Sequence, residues 1–293
     1  PPDHFQQSPL GLVAHRTSPT NIGLLLMSTL SAYDLGYIGL PLLSARLRNT
    51  IDAMEKLERH RGHFLNWYET RSLQPLQPGY VSTVDSGNLA ACLLTLGQGC
   101  AGLHNAPILR WQQCQGLLDT LDVLDDIVSN FKKDAYEAVS PVKSQWDRIR
   151  HRVLAVQDEP RQWVSLMHHM EREVLPELDR RLADMVEAKG HLLNAADLNT
   201  LRLWTQCIHY QLRNALREIL RLAPWLSMLD DIPGLLQSDN TPAAEEYNGL
   251  KASLPLMPSL DEVEEICGSA LKRIDRLQKA LNTMDATEER SQA

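Results

Sequence analysis

Apolar residues recur every three to four positions along nearly the whole chain, the spacing that predicts amphipathic helices. The strict alternation of a half-buried strand is almost absent. Pro19 and Thr20 open a first helix reaching about Leu35, with Thr20 as its expected cap. Pro41 opens a second, carrying Leu43, Leu47, Ile51, Met54 and Leu57 before Gly62. After a Pro- and Gly-rich loop at 74–79, Asp85 or Ser86 is expected to cap a third helix, 88–103. Pro107 opens a fourth, reaching about Lys132. Pro141 opens another to Val156, and Pro160 a long one to Lys189, kinked at Pro176. Asn194 or Asp197 caps the next, ending near Pro224. Residues 230–258 read as loop, and Ser259 or Asp261 caps a final amphipathic helix. The expected fold is all-α: an array of αα-hairpins. The expected division is 1–103, 104–285 and a disordered tail at 286–293.

Three stretches break this plain pattern. They are HRTSPTNIGL at 15–24, RHRGHFLNWYET at 59–70 and YVSTVDSGNLA at 80–90. Nearly every side chain in them is a donor, an acceptor or an aromatic plate, the mixture a sugar-binding cleft needs. In the first, Arg16, Thr17 and Asn21 cluster where an extended segment before Pro19 turns into a helix. The same residues also suit simple helix capping. In the second, Asn66, Trp67 and Tyr68 form a platform, with Arg61 and His63 beside it as hydroxyl ligands. Aromatics this dense also serve as core packing. His60 and His63 lack a third ligand at metal-site spacing. In the third, Asp85 and Asn88 stand at a helix start, as sugar ligands or as caps. Asp34, in an apolar helix, needs a partner if buried, with Arg16 or Arg61 available.

Composition adds bounds. The chain has 293 residues and a formal charge of -8, a poor balance for binding nucleic acid. The start at Pro1 is expected to mark a piece of a longer or processed protein. Five scattered cysteines without CxxC read as free thiols in a reducing compartment. No apolar run approaches the roughly 20 residues of a membrane span, 22–30 being apolar but short, so the segment is expected to be soluble. The acidic pairs Asp125-Asp126 and Asp230-Asp231 look like prenyl-synthase motifs but have Ser129 and Gly234 where an acid is required. Walker, GxGxxG, GxSxG and HExxH patterns do not occur.

In order and spacing, the three stretches resemble the cyclic β-1,2-glucan synthases across about residues 1–102. These large bacterial enzymes join a membrane-embedded glycosyltransferase, a middle glycoamylase-like cyclisation domain and a phosphorylase-like domain. The resemblance implies a partial (α/α)6 toroid, with the polar stretches on one wall of a β-1,2-glucan cleft. It implies retaining transglycosylation by two carboxylates. Those glutamates are expected beyond residue 293, so the catalytic residues stay unassigned. The glucan contacts implied are Arg16, Thr17, Asn21, Arg61, His63, Asn66, Trp67, Tyr68, Asp85 and Asn88, with Asp34 supporting them from behind. No cofactor or metal is implied in this segment. Its implied partners are β-1,2-glucan, the downstream glycoamylase-like half and the transferase, at the cytoplasmic face of the inner membrane. The alternative is a helical scaffold that docks the transferase to the later domains and binds no sugar. A further alternative is a small hydrolase of another polysaccharide, using Asp85 or Glu69.

Overall fold

The computed structural model describes residues 1–6, 11–227 and 241–291, with backbone alone for 284–291. Asp230, Asp231 and Gly234 therefore lie outside the described residues. The fold is all-α, with short antiparallel strand pairs near the N-terminus. It divides into two compact units, Pro1–Leu103 and His104–Ala293.

The first unit holds α1 (Pro19–Asp34), α2 (Leu40–Glu55) and α3 (Thr83–Ala101). Its strand pairs are β1 (His4–Gln6) with β2 (Leu12–Ala14), β3 (Arg16–Thr17) with β6 (Tyr68–Glu69), and β4 (Arg59–His60) with β5 (His63–Phe64). Ile22, Leu26 and Leu30 of α1 meet Leu43 and Met54 of α2 and Leu89 and Leu96 of α3 in one core. α1 and α3 approach closely because glycines face them. A Cβ on Gly23 would stand 2.9 Å from Cys92 Sγ, and one on Gly99 would collide with Leu30. Gly23 beside Leu89 and Cys92, and Leu30 beside Gly99, mean that the two helices run parallel and in step.

Three expectations shift here. α1 is capped by Ser18, not Thr20: Ser18 Oγ accepts from the Asn21 N–H at 3.2 Å. α3 starts earlier than expected, capped by Ser82, whose Oγ accepts from the Asp85 N–H at 3.2 Å. α2 ends at Glu55, and Gly62 belongs to the turn of a hairpin rather than to a helix end.

The second unit packs α4 (Trp111–Ser129), α5 (Lys133–Ala155), α6 (Pro160–His169), α7 (Leu175–Lys189) and α8 (Ala195–Leu222) around a second core. Trp146 and Leu121 are fully buried in it. Pro141 lies inside α5 instead of opening it, since buried Ala135, Ala138 and Val139 anchor the preceding turns. Instead of a bare kink at Pro176, a π-helical turn at Met170–Val174 leads into α7. Pro176 has no N–H to donate backwards, so the widened turn falls where the regular ladder would lose a bond. The stretch read as loop contains α9 (Pro242–Ser253), capped by Thr241. α10 (Leu260–Ser291) follows, its first turn tied by Ser259 N–H donating to Glu262 Oε2 at 2.8 Å. Its backbone stays helical past residue 286.

Candidate functional site

β3 sets the first polar stretch antiparallel to the second, pairing Arg16 with Glu69 and Thr17 with Tyr68. The Arg16 guanidinium then lies 4.8 Å above the Trp67 ring. It also donates from Nε to Asp3 Oδ2 at 3.0 Å. Asp3 accepts a second bond from Asn21 Nδ2 at 3.1 Å. The Asn21 amide and then the Arg16 fork hold the Asp3 carboxyl below its ordinary value. Asp3 was not foreseen: it stands outside the polar stretches, and only the strand pairing brings it in.

The third stretch joins through the start of α3. Asn88 Nδ2 donates to Thr20 Oγ1 at 3.1 Å. Partial burial pushes the Asp85 carboxyl up, but hydrogen bonds from Ser82, Thr20 and Ser18 outweigh it and leave the carboxyl below its usual value. This anion sits where two parallel helices begin. Their N-terminal dipole ends would otherwise repel, and a carboxylate there stabilises both. Asp85 thus supports both helix starts from the first turn of α3, beside the caps Ser18 and Ser82.

The second and third stretches meet at Asn66. Its N–H donates to Tyr80 O at 2.8 Å, and its Oδ1 accepts from Tyr80 N–H at 3.3 Å. The three stretches are therefore hydrogen-bonded to one another in space.

Several expected contacts have other uses. Tyr68 is 0% exposed. Its hydroxyl donates to Glu58 O at 2.7 Å and accepts from the Leu65 N–H at 2.7 Å. It is a core strut with its hydrogen bonds filled, not a sugar platform. Asn66 is buried and spends its amide oxygen clamping the loop at Tyr80. Thr17 is also buried, with Oγ1 lacking a partner. It lines an apolar cavity of about 230 Å³ together with Ile22, Leu25, Met54 and Leu57. Arg61 and His63 stand exposed at the tip of the β4–β5 hairpin. Arg61 has φ 50° and Gly62 φ 86°, the left-handed pair that a two-residue hairpin turn demands. Asp34 is exposed at the last residue of α1. That is about 20 Å along the helix from Asn21. It needs no buried partner and does not support the Arg16 cluster.

The carboxylates here are poor proton donors. Glu69 is pulled down to about 2, chiefly by Arg71 and then by the Ser72 N–H. Asp3 and Asp85 are lowered as well. A general acid needs a raised pKa, held near the working pH. Among the described residues, no three His, Cys, Asp or Glu are grouped to hold a metal ion. Cysteines 92, 100, 114, 207 and 267 are free, and burial pushes the Cys114 thiol to about 12. No described helix is long and apolar enough to cross a membrane.

No family model matches the chain. Over 144 residues, 49% of its length, it is 40% identical to the cyclic beta-(1,2)-glucan synthase NdvB of Rhizobium meliloti (strain 1021). It covers 5% of that protein. The resemblance to the cyclic β-1,2-glucan synthases is therefore a measured one, and the chain is similar to a short segment of a cyclic β-(1,2)-glucan synthase.

Proposed function

We propose that Pro1–Leu103 forms part of a β-1,2-glucan-binding wall in the cyclisation region of such a synthase, within a partial (α/α)6 toroid. The observation that carries this reading is the Asp3–Arg16–Trp67–Asn21 cluster. It combines a half-buried indole, a guanidinium half exposed at 53%, and amides already oriented by a carboxylate. An aromatic plate with donors around its rim suits a pyranose, whose faces are apolar and whose edge is hydroxylated. Asp85, Thr20 and Asn88 extend the polar surface along the helix starts. The lowered carboxyls favour binding over proton transfer for this wall. The transglycosylating carboxylates, the transferase and the attachment to the inner membrane belong to the rest of the parent chain.

Calorimetric titration of linear β-1,2-glucan into the full chain tests this. Binding is expected, weakened about tenfold by Trp67→Ala or Arg16→Ala. Asp34→Ala, at the far end of α1, is expected to leave it unchanged. The second reading, a docking scaffold that binds no sugar, is favoured by exposed apolar side chains: Val84 at 72%, Leu94 at 74% and Leu24 at 58%. A titration without heat, repeated with the downstream half of a synthase supplied, would decide for that scaffold.

A further inference from the structure

The groove between α7 and α8 holds chemistry that the glucan reading does not use. A cavity of about 540 Å³ opens there, lined by Asp179 of α7 and by His209, Tyr210, Arg213, Asn214 and Arg217 of α8. The α8 residues fall at helical spacings of three and four, so they share one face. Asp179 is already engaged, accepting from His209 Nε2 at 2.9 Å. The two arginines are different. They stand four apart on one helix, where like charges repel. Among the described residues, neither guanidinium forms an ion pair. Beside them, Asn214 Nδ2 is shut off from solvent without a hydrogen-bond partner. An unpartnered amide donor and two adjacent guanidinium forks call for acceptor oxygens carrying negative charge. The volume fits a small molecule, since ligand pockets span roughly 300–1,000 Å³.

We propose that this groove binds a phosphate group, either free or carried on a hydroxylated body such as a hexose. Arg213 and Arg217 hold the oxygens as bidentate forks. Asn214, whose Nδ2 has no partner in its closed-off position, turns its amide toward the anion and donates a further hydrogen bond. A tetrahedral dianion matches two forks and an amide better than a carboxylate, which one fork satisfies. The Tyr210 hydroxyl and Gln206, which also lines the cavity, face the remaining volume and can bind hydroxyls. This proposal is independent of the glucan wall, which lies in the other unit.

The test is an NMR titration of the full chain, following the Asn214 side-chain amide at constant ionic strength. The probes are inorganic phosphate, glucose 6-phosphate and acetate. Saturable binding of phosphate is expected, with acetate weaker. The double variant Arg213→Gln/Arg217→Gln is expected to weaken it about tenfold or more. Arg221→Gln removes the same kind of charge beyond the cavity and is expected to change nothing. Tighter binding of glucose 6-phosphate than of phosphate identifies a sugar phosphate; equal binding identifies the free anion. A non-saturating response of the unaltered chain overturns the proposal. So does acetate binding as tightly as phosphate, or an equal loss in Arg221→Gln.

Discussion

Tyr68 shows how residue type alone misleads. Its ring and hydroxyl suit a sugar, yet both go to the core, the hydroxyl bridging Glu58 O and the Leu65 N–H. Tyr68→Phe removes a donor and an acceptor at once and leaves the Glu58 carbonyl and the Leu65 N–H without their partner. A loss of about 1–3 kcal/mol in urea unfolding is expected, larger than for an exposed hydroxyl. Asp85 is the opposite case. It reads as a simple cap of its own helix, but Ser82 is that cap, and Asp85 in the first turn instead places its carboxylate beside the starts of both α1 and α3. Asp85→Ala is expected to cost about 1–2 kcal/mol by the same measurement. Loss of under half that would mean the carboxylate does not serve both helix starts.

At the scale of elements, the pairing of α1 with α3 depends on two hydrogen atoms where side chains would stand. Gly23→Ala forces a methyl to within 2.9 Å of Cys92 Sγ and 3.5 Å of Leu89 Cα. A cost of about 1–3 kcal/mol is expected from the overpacking. Gly97, in the same helix α3, has nothing within 4 Å of its Cβ position. Gly97→Ala is expected to raise stability by about 0.5–1 kcal/mol through helix propensity. Opposite signs from the same substitution, read as melting temperatures, check that close packing rather than propensity rules at Gly23. Helix positions were legible where proline marked a first turn, as at Pro41 and Pro160. Caps were less so, because runs such as Ser18-Pro19-Thr20 offer several hydroxyls and geometry chooses among them. α9 went unread because its Pro- and Asn-rich surroundings look like loop, although Thr241 and Pro242 are an ordinary helix start.

Across the whole molecule, ionised groups are held in place by partners, and this sets the response to pH. Asp3, Glu69, Asp85, Glu177 and Glu262 all have lowered pKa values when folded. Glu177 owes this to Arg180 and Arg181, and Glu262 to the Ser259 N–H. A depressed carboxyl stabilises the fold above its unfolded value and ceases to do so as the pH falls through its folded one. Stability is therefore expected to fall from about pH 4.5 down to about 2, the value Glu69 reaches. On the alkaline side, the buried Cys114 thiol rises from 9.0 to about 12. Its contribution is kept below the unfolded value and lost as the pH climbs from there through about 12. Urea midpoints that stay level from pH 5 down to 2 would contradict this set of shifts.

The all-α class follows from the period of the apolar residues alone, because a helix needs one buried face and a spacing of about 3.6 reveals it wherever it falls. The likeness to a glucan synthase was also legible, since the three polar stretches carry it in their order and spacing. What those stretches do to each other was not. Arg16 reaches Asp3 and Trp67, and Asn88 reaches Thr20, across separations that no local pattern records. Burial then divided the polar residues, sending Tyr68 and Asn66 inward and leaving Arg16 half exposed. That division rests on strand pairing and on the close approach of two parallel helices, which are properties of the packed chain.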